Sequence, residues 1–110
     1  MLKRKYRLKQ GTRFKNASVL DTSFYKILIA ENGLNVNRFG FAVSKKIDKR
    51  AVVRNKTRRK VRSCIEKKLE NIRKGHDMMF LIKKEAVDES LENICLSIEN
   101  VFRKANLLTE

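Results

Sequence analysis

From Val36 to Ser44 bulky apolar residues alternate with small or polar ones. Phe39, Phe41 and Val43 fall on one side; Arg38, Gly40, Ala42 and Ser44 fall on the other. A period of two predicts a strand with a bulky core face and a small-residue face over which another segment can lie closely. Upstream, residues 23–30 are rich in aromatic and β-branched side chains and end at Glu31-Asn32-Gly33, a turn signal,. The two runs together read as a hairpin. Beyond them the period changes. Val53, Thr57, Val61, Cys64, Ile65, Leu69 and Ile72 recur at steps of three and four. They predict a helix from residue 51 or 53 to residue 73, with Gly75 suited to the position just past its end. Residues 78–82, MMFLI, form a continuous apolar run too short for a helix, which predicts a central strand buried on both faces,. A last helix is expected over 88–106, with Leu91, Ile94, Cys95, Ile98, Val101, Phe102 and Ala105 inward,. Asp88 and Glu89 at its start and Arg103 and Lys104 at its end suit the helix dipole. Thr12 is a plausible cap for a short helix over 13–17. The order is short helix, two or three strands, helix, strand, helix: an α+β sandwich in one domain spanning residues 1–110.

Composition changes this picture in one respect, the charge. The chain has 27 Lys plus Arg against 12 Asp plus Glu, a formal net charge of +15. Yet 42% of its residues are hydrophobic, so it is no disordered basic tail,. Such an excess calls for a polyanionic partner. Nucleic acid leads. An anionic membrane surface is weakened because no segment approaches the ~18–20 consecutive apolar residues that span a bilayer. The N-terminal residues also carry charge without the apolar stretch of a secretory signal. Cys64 and Cys95 lack C-x-x-C spacing and fall on or beside apolar helix stripes, so they are expected as buried free thiols of a reducing cytoplasm. With one histidine, His76, expected in a surface turn, no zinc site is expected.

The positive charge concentrates between Lys45 and Arg62, where Asp48 is the only acid. Lys45, Lys46, Lys49 and Arg50 lie in a loop, and Arg54, Asn55, Lys56, Arg58, Arg59, Lys60 and Arg62 lie on the helix that follows. Asn55, Arg58, Arg59 and Arg62 sit off the apolar stripe, so core packing does not use them. Like charges at i and i+4, as at Arg54/Arg58 and Arg58/Arg62, cost roughly 0.2–0.5 kcal/mol per pair in an isolated helix. That cost favours a functional face over a solvated one. Arginine's planar fork suits bidentate phosphate contact. Phe14 and Tyr25 could each offer a ring to an unstacked base, or could simply be core. No pair of general acid and base, no phosphate-cradling glycine loop and no carboxylate cluster is visible, so no catalytic residue and no metal ligand is assigned to the protein.

AVSKKI followed by AVVRNKTRRKVR resembles the signature of the protein subunit of bacterial ribonuclease P. Leu8-Lys9, Arg13-Phe14, residues 77–82 and Phe102-Arg103-Lys104 support the likeness. The resemblance implies a two-layer α/β sandwich of the ribosomal protein S5 domain 2-like kind. Its mixed sheet would have about four strands and three helices, with a left-handed βαβ crossover where handedness rules favour the right-handed form. It implies a cytoplasmic subunit bound to a catalytic RNA that removes the 5′ leader of precursor tRNA, with Mg²⁺ held mainly by the RNA and no obligate protein partner. Carried over by motif, Lys45, Lys46, Arg54, Asn55, Lys56, Arg58, Arg59 and Arg62 would face RNA, with Phe14 in a leader cleft and Tyr25 a candidate beside it. Lys56 stands where the family has a third motif arginine, and Asp48 where it commonly has glycine. Ser18 and Leu108 stand where it often has a phenylalanine and a tyrosine. A structural RNA-binding protein of the ribosomal type is the alternative.

Overall fold

The most apolar run of the chain takes the most enclosed place in the fold. In the computed structural model, which describes residues 2–9, 14 and 16–109, four strands form one sheet. They are β1 (Ser18–Asp21), β2 (Tyr25–Glu31), β3 (Arg38–Ala42) and β4 (His76–Ile82), in the order β1-β2-β4-β3. β1 and β2 are antiparallel, β2 and β4 antiparallel, and β3 and β4 parallel. The expected hairpin between β2 and β3 is therefore absent: β4 lies between them. The turn signal after β2 is real but leads elsewhere. The Asn32 side chain accepts from the Leu34 amide (2.8 Å) and donates to the Val36 carbonyl (3.1 Å), while Gly33 takes φ +69°,. The local hairpin is β1–β2, closed at Thr22, whose amide and hydroxyl both donate to the Tyr25 carbonyl.

Strand alternation sends Tyr25, Ile27, Phe39, Met78, Phe80 and Ile82 into one core, each at most 3% exposed,. The Phe80 ring lies 5.5 Å from Tyr25, 5.3 Å from Phe41 and 6.5 Å from Phe102. Two helices supply the second layer: α1 (Ala51–Lys68), through Thr57, Val61, Cys64 and Ile65, and α2 (Leu91–Lys104), through Ile94, Ile98 and Phe102. β4 is central but buried on this face only. Met79 is half-buried and Leu81 is 38% exposed on the other face, because both helices pack on the same side. On that open face the small-residue side of β3 is indeed closely approached. A methyl at Gly40 would stand 2.7 Å from Met79 Cε and 3.2 Å from Leu8 Cδ1.

Both helices are shorter than their apolar stripes. α1 gives way to a 3-10 turn (Leu69–Asn71) because Ile72 pairs with Leu108, and Arg73 donates to the Leu107 carbonyl at 2.7 Å. Gly75, at φ +98°, serves the turn into β4 rather than capping the helix. α2 starts at Leu91 because the Ser90 hydroxyl accepts from the Asn93 amide at 3.1 Å,. Leu91 is 37% exposed rather than buried. The described residues contain two α-helices and three 3-10 turns (Arg4–Tyr6, Leu69–Asn71 and Lys84–Ala86). The short helix expected over 13–17 falls largely outside the described residues.

Cys64 and Cys95 are joined in a disulfide with a Cα–Cα separation of 5.1 Å, not left as thiols. The two stripes on which they were read belong to helices that pack on each other, so the inward-facing sulfurs meet. Spacing along the chain carried no sign of that contact.

Candidate nucleic-acid interface

The loop before α1 is built by Asp48. Its carboxylate accepts from the Arg50 amide (2.9 Å) and from the Arg50 guanidinium (3.1 and 2.9 Å). Those side-chain bonds first, and the backbone bond second, hold its pKa down to about 2. The one acid of the basic run is thus spent on its neighbour. Arg54 Nη1 donates to the carbonyls of Asp48 (3.0 Å) and Lys49 (2.8 Å), fastening the loop to the first turn of α1. Lys45 and Lys46 stand exposed on this loop.

Along α1 the residues divide by face. Thr57 is buried and donates to the Val53 carbonyl at 2.8 Å, on the core side with Val61 and Cys64. Asn55, Lys56 and Arg59 are exposed, and Arg58 and Arg62 half-exposed, on the other side. Asn55 accepts from Arg58 Nη1 at 2.7 Å, so the amide aims the guanidinium. Among the described residues none of Lys45, Lys46, Arg54, Lys56, Arg58, Arg59 and Arg62 forms an ion pair with a carboxylate. Lys45, Lys46, Lys56 and Arg59 are exposed and Arg58 and Arg62 partly so, whereas the Arg54 guanidinium is held by the two loop carbonyls. Val52, one helical turn before Lys56, is 78% exposed.

Lys60 lies in the same basic run but does something different. Its Nζ donates to the carbonyls of Ala86 (3.1 Å), Val87 (2.8 Å) and Glu89 (2.8 Å), binding α1 to the segment before α2. Desolvation, then repulsion from Lys56, lowers its pKa. Lys60→Ala should cost about 2 kcal/mol in urea unfolding, since three charge-assisted bonds go. It should leave the salt dependence of nucleic-acid binding unchanged. A lowered salt slope at unchanged stability would contradict that role.

A second pinned pair sits at the opposite end of β3. Arg38 donates to both oxygens of Asp77 at 2.8 Å, and Asn32 donates to one of them at 2.9 Å. Burial pushes the Asp77 carboxyl up, but the bonds from Arg38 and Asn32 together outweigh it, and its pKa lies below the usual range. Because the folded pKa is the lower one, the stability Asp77 contributes is present above about pH 4 and fades as pH falls through that lowered value. Asp77→Asn should lose about 2 kcal/mol at neutral pH and show a flatter acid-unfolding profile than the parent.

A long groove runs between the β1–β2 edge and the C-terminal end of α2. One stretch, about 610 Å³, is lined by Ser18, Leu20, Ile29, His76 and Leu107 among others, and the next, about 530 Å³, by Phe24, Ser97 and Lys104. Tyr25 does not reach it. Its ring is wholly buried and its hydroxyl pairs with Ser97 Oγ at 3.0 Å, because it shares the core face of β2 with Ile27. The neighbouring turn residue Phe24 lines the groove instead, and only its place before the strand could have suggested that. Phe14 is half-buried. Leu108 is 7% exposed and pairs with Ile72, so it belongs to the packing. His76 opens β4 rather than standing in a free turn, with Nδ1 3.1 Å from the Arg73 carbonyl.

A family model described as Ribonuclease P matches residues 2–106. The chain belongs to the ribonuclease P protein family. A ribonuclease P protein component from Alkaliphilus oremlandii is 37% identical over 82 residues, covering 74% of this chain and 71% of the relative. One from Caldanaerobacter subterraneus subsp. tengcongensis is 32% identical over 108 residues, covering 94% and 92%. A solved structure of a Staphylococcus aureus RNase P protein, a mutant with defective mRNA degradation activity, superposes with a TM-score of 0.82 at 26% identity, covering 94% of this chain and 90% of that one. The family places the chain as the RNA-binding protein subunit of ribonuclease P, the endoribonuclease of tRNA 5′ maturation, in which the catalyst is RNA. The mixed four-stranded sheet with two α-helices is the fold these proteins share.

Proposed function

We propose that the outward face of α1, with Lys45 and Lys46 on the loop before it, is the surface that binds the catalytic RNA. The long groove between β1–β2 and α2 would receive the single-stranded leader of precursor tRNA, with Phe14, by the family motif, as a candidate ring for it. The observation that carries this reading is the row of cations on α1 that, among the described residues, have no carboxylate partner. Two polyanions, catalytic RNA and substrate, repel each other, and a rigid cationic face set between them lowers that repulsion. Substrate affinity and Mg²⁺ affinity rise together without any side chain entering the chemistry. In this reading Mg²⁺ is held mainly by the RNA; among the described residues no group of three or more His, Cys, Asp or Glu is placed to hold a metal ion. Backbone contacts dominate in the groove, because the ring of Tyr25 is turned into the core. In this reading the β3–α1–β4 unit takes the left-handed sense of the ribosomal protein S5 domain 2-like fold, and the whole chain works in the cytoplasm as one domain. No described helix is long and apolar enough to cross a membrane.

Precursor tRNA cleavage by the cognate RNA, with and without the protein at low Mg²⁺, tests this directly. The protein should raise the cleavage rate most where Mg²⁺ is scarcest. RNA recovered with the protein from cells should be one large species that is not ribosomal. Recovery of ribosomal RNA alone, with no stimulation of cleavage, would establish the ribosomal-type binder instead.

A further inference from the structure

On the open face of the sheet a second basic surface is held as firmly as the first. The segment before β1 is not a loose tail where it is described. Leu2 is 3% exposed, Arg7 bridges Phe39 in parallel, and the Leu8 amide donates to the Phe39 carbonyl at 2.9 Å. Leu8 then rests on Gly40, on the side of the sheet away from the helices. This pinning places Arg4, Lys5 and Arg7, all exposed, along one wall of a groove of about 810 Å³ floored by Leu8 and Leu34. Leu34 is 47% exposed. Among the described residues no carboxylate lines the groove and none of these three cations is in an ion pair. Arg38, which also lines it, is already spent on Asp77.

Three like charges held close together repel, and against that the described residues set the Tyr6 ring, 5.0 Å from Lys5 Nζ, and no carboxylate,. A wall of cations above an apolar floor fits one ligand chemistry well. Phosphates meet the guanidinium and ammonium groups, while an unpaired base or ribose lies on the leucines. A duplex would keep its bases out of reach of such a floor. We infer that this groove binds a single-stranded segment of the RNA partner, separate from the segment held by α1. The inference rests on the RNA-binding reading above. The two surfaces are distinct in space. The groove lies at the Arg38 end of β3 and on the open face, whereas Lys45 and α1 lie past its other end and on the helix side. Seven residues separate Arg38 from Lys45, up to about 23 Å at about 3.3 Å per residue.

The test compares three double variants of the full chain in filter binding and footprinting on the cognate ribonuclease P RNA. They are Arg4→Ala/Arg7→Ala in the groove, Arg58→Ala/Arg62→Ala on α1, and Arg73→Ala/Lys84→Ala as a charge-matched control at exposed positions off both surfaces. The groove variant should bind roughly tenfold more weakly than the control, with a log–log salt slope shallower by about 1.4, the single-strand value for two phosphates. It should lose protection at a run of unpaired nucleotides that the α1 variant still protects. If the groove variant matches the control while the α1 variant is weakened, the groove inference is wrong and the α1 reading stands. If neither variant differs from the control, the RNA-binding reading fails and takes this one with it. Lost protection confined to paired nucleotides would overturn the single-stranded ligand.

Discussion

Arg58→Ala/Arg62→Ala should bind the catalytic RNA on the order of a hundredfold more weakly, at about 1.5 kcal/mol per charge-assisted contact. Its log–log salt slope should fall by about 1.4–1.8, because two phosphates lose their partners. The same protein should melt where the parent does. Neither side chain enters the core, and removing the two i,i+4 repulsions, Arg54/Arg58 and Arg58/Arg62, returns a few tenths of a kcal/mol each. The pairing of loss and retention is what matters. A variant that binds weakly because it is partly unfolded would show an early melt, whereas a lost phosphate contact leaves stability intact. Filter binding across a salt series, beside a urea titration, separates the two. Unchanged affinity and slope would remove α1 from the interface. Asn55→Ala should give a milder form of the same result, since it frees the Arg58 guanidinium to wander without removing it,.

The second large effect concerns stability. Reducing Cys64–Cys95, or replacing both with alanine, should cost about 3–4 kcal/mol, the loop-closure value for a span of 31 residues,. Urea unfolding with and without a strong thiol reductant measures it, and titration with a thiol reagent reports whether the bond is intact. Equal midpoints in the two conditions, with two reactive thiols only after reduction, would show that the bond adds nothing. Since the disulfide ties α1 to α2, hydrogen exchange in both helices should quicken on reduction while the β2–β4 pairing changes least.

How far the chain could be read in advance depended on whether each signal was local. The stripe through Val61, Cys64 and Ile65 and the run at 78–82 are local patterns, and both produced the expected elements. Which strand stands beside which is not local. The strand that separates β2 from β3 arrives more than thirty residues after β3 ends, so a turn at Asn32 looked like a hairpin. The disulfide failed for the same reason: two half-patterns on two helices do not announce that they touch. The basic face was legible because repulsion among Arg54, Arg58 and Arg62 is itself local. Within that face Lys60 could not be told from its neighbours, for its three carbonyl partners lie twenty-six to twenty-nine residues away. Of the two readings open for Tyr25, ring or core, strand alternation selects the core, and Phe24, one position earlier, lines the groove.

Lys60 at one point and the Cys64–Cys95 bridge at another hold α1 in place before any nucleic acid arrives. The encounter then requires no folding step in the protein. Association should be fast, governed by long-range attraction, and slowed steeply by added electrolyte, while dissociation responds far less. Stopped-flow mixing would show second-order behaviour to high RNA concentration, without the plateau that a slow rearrangement of the polypeptide imposes.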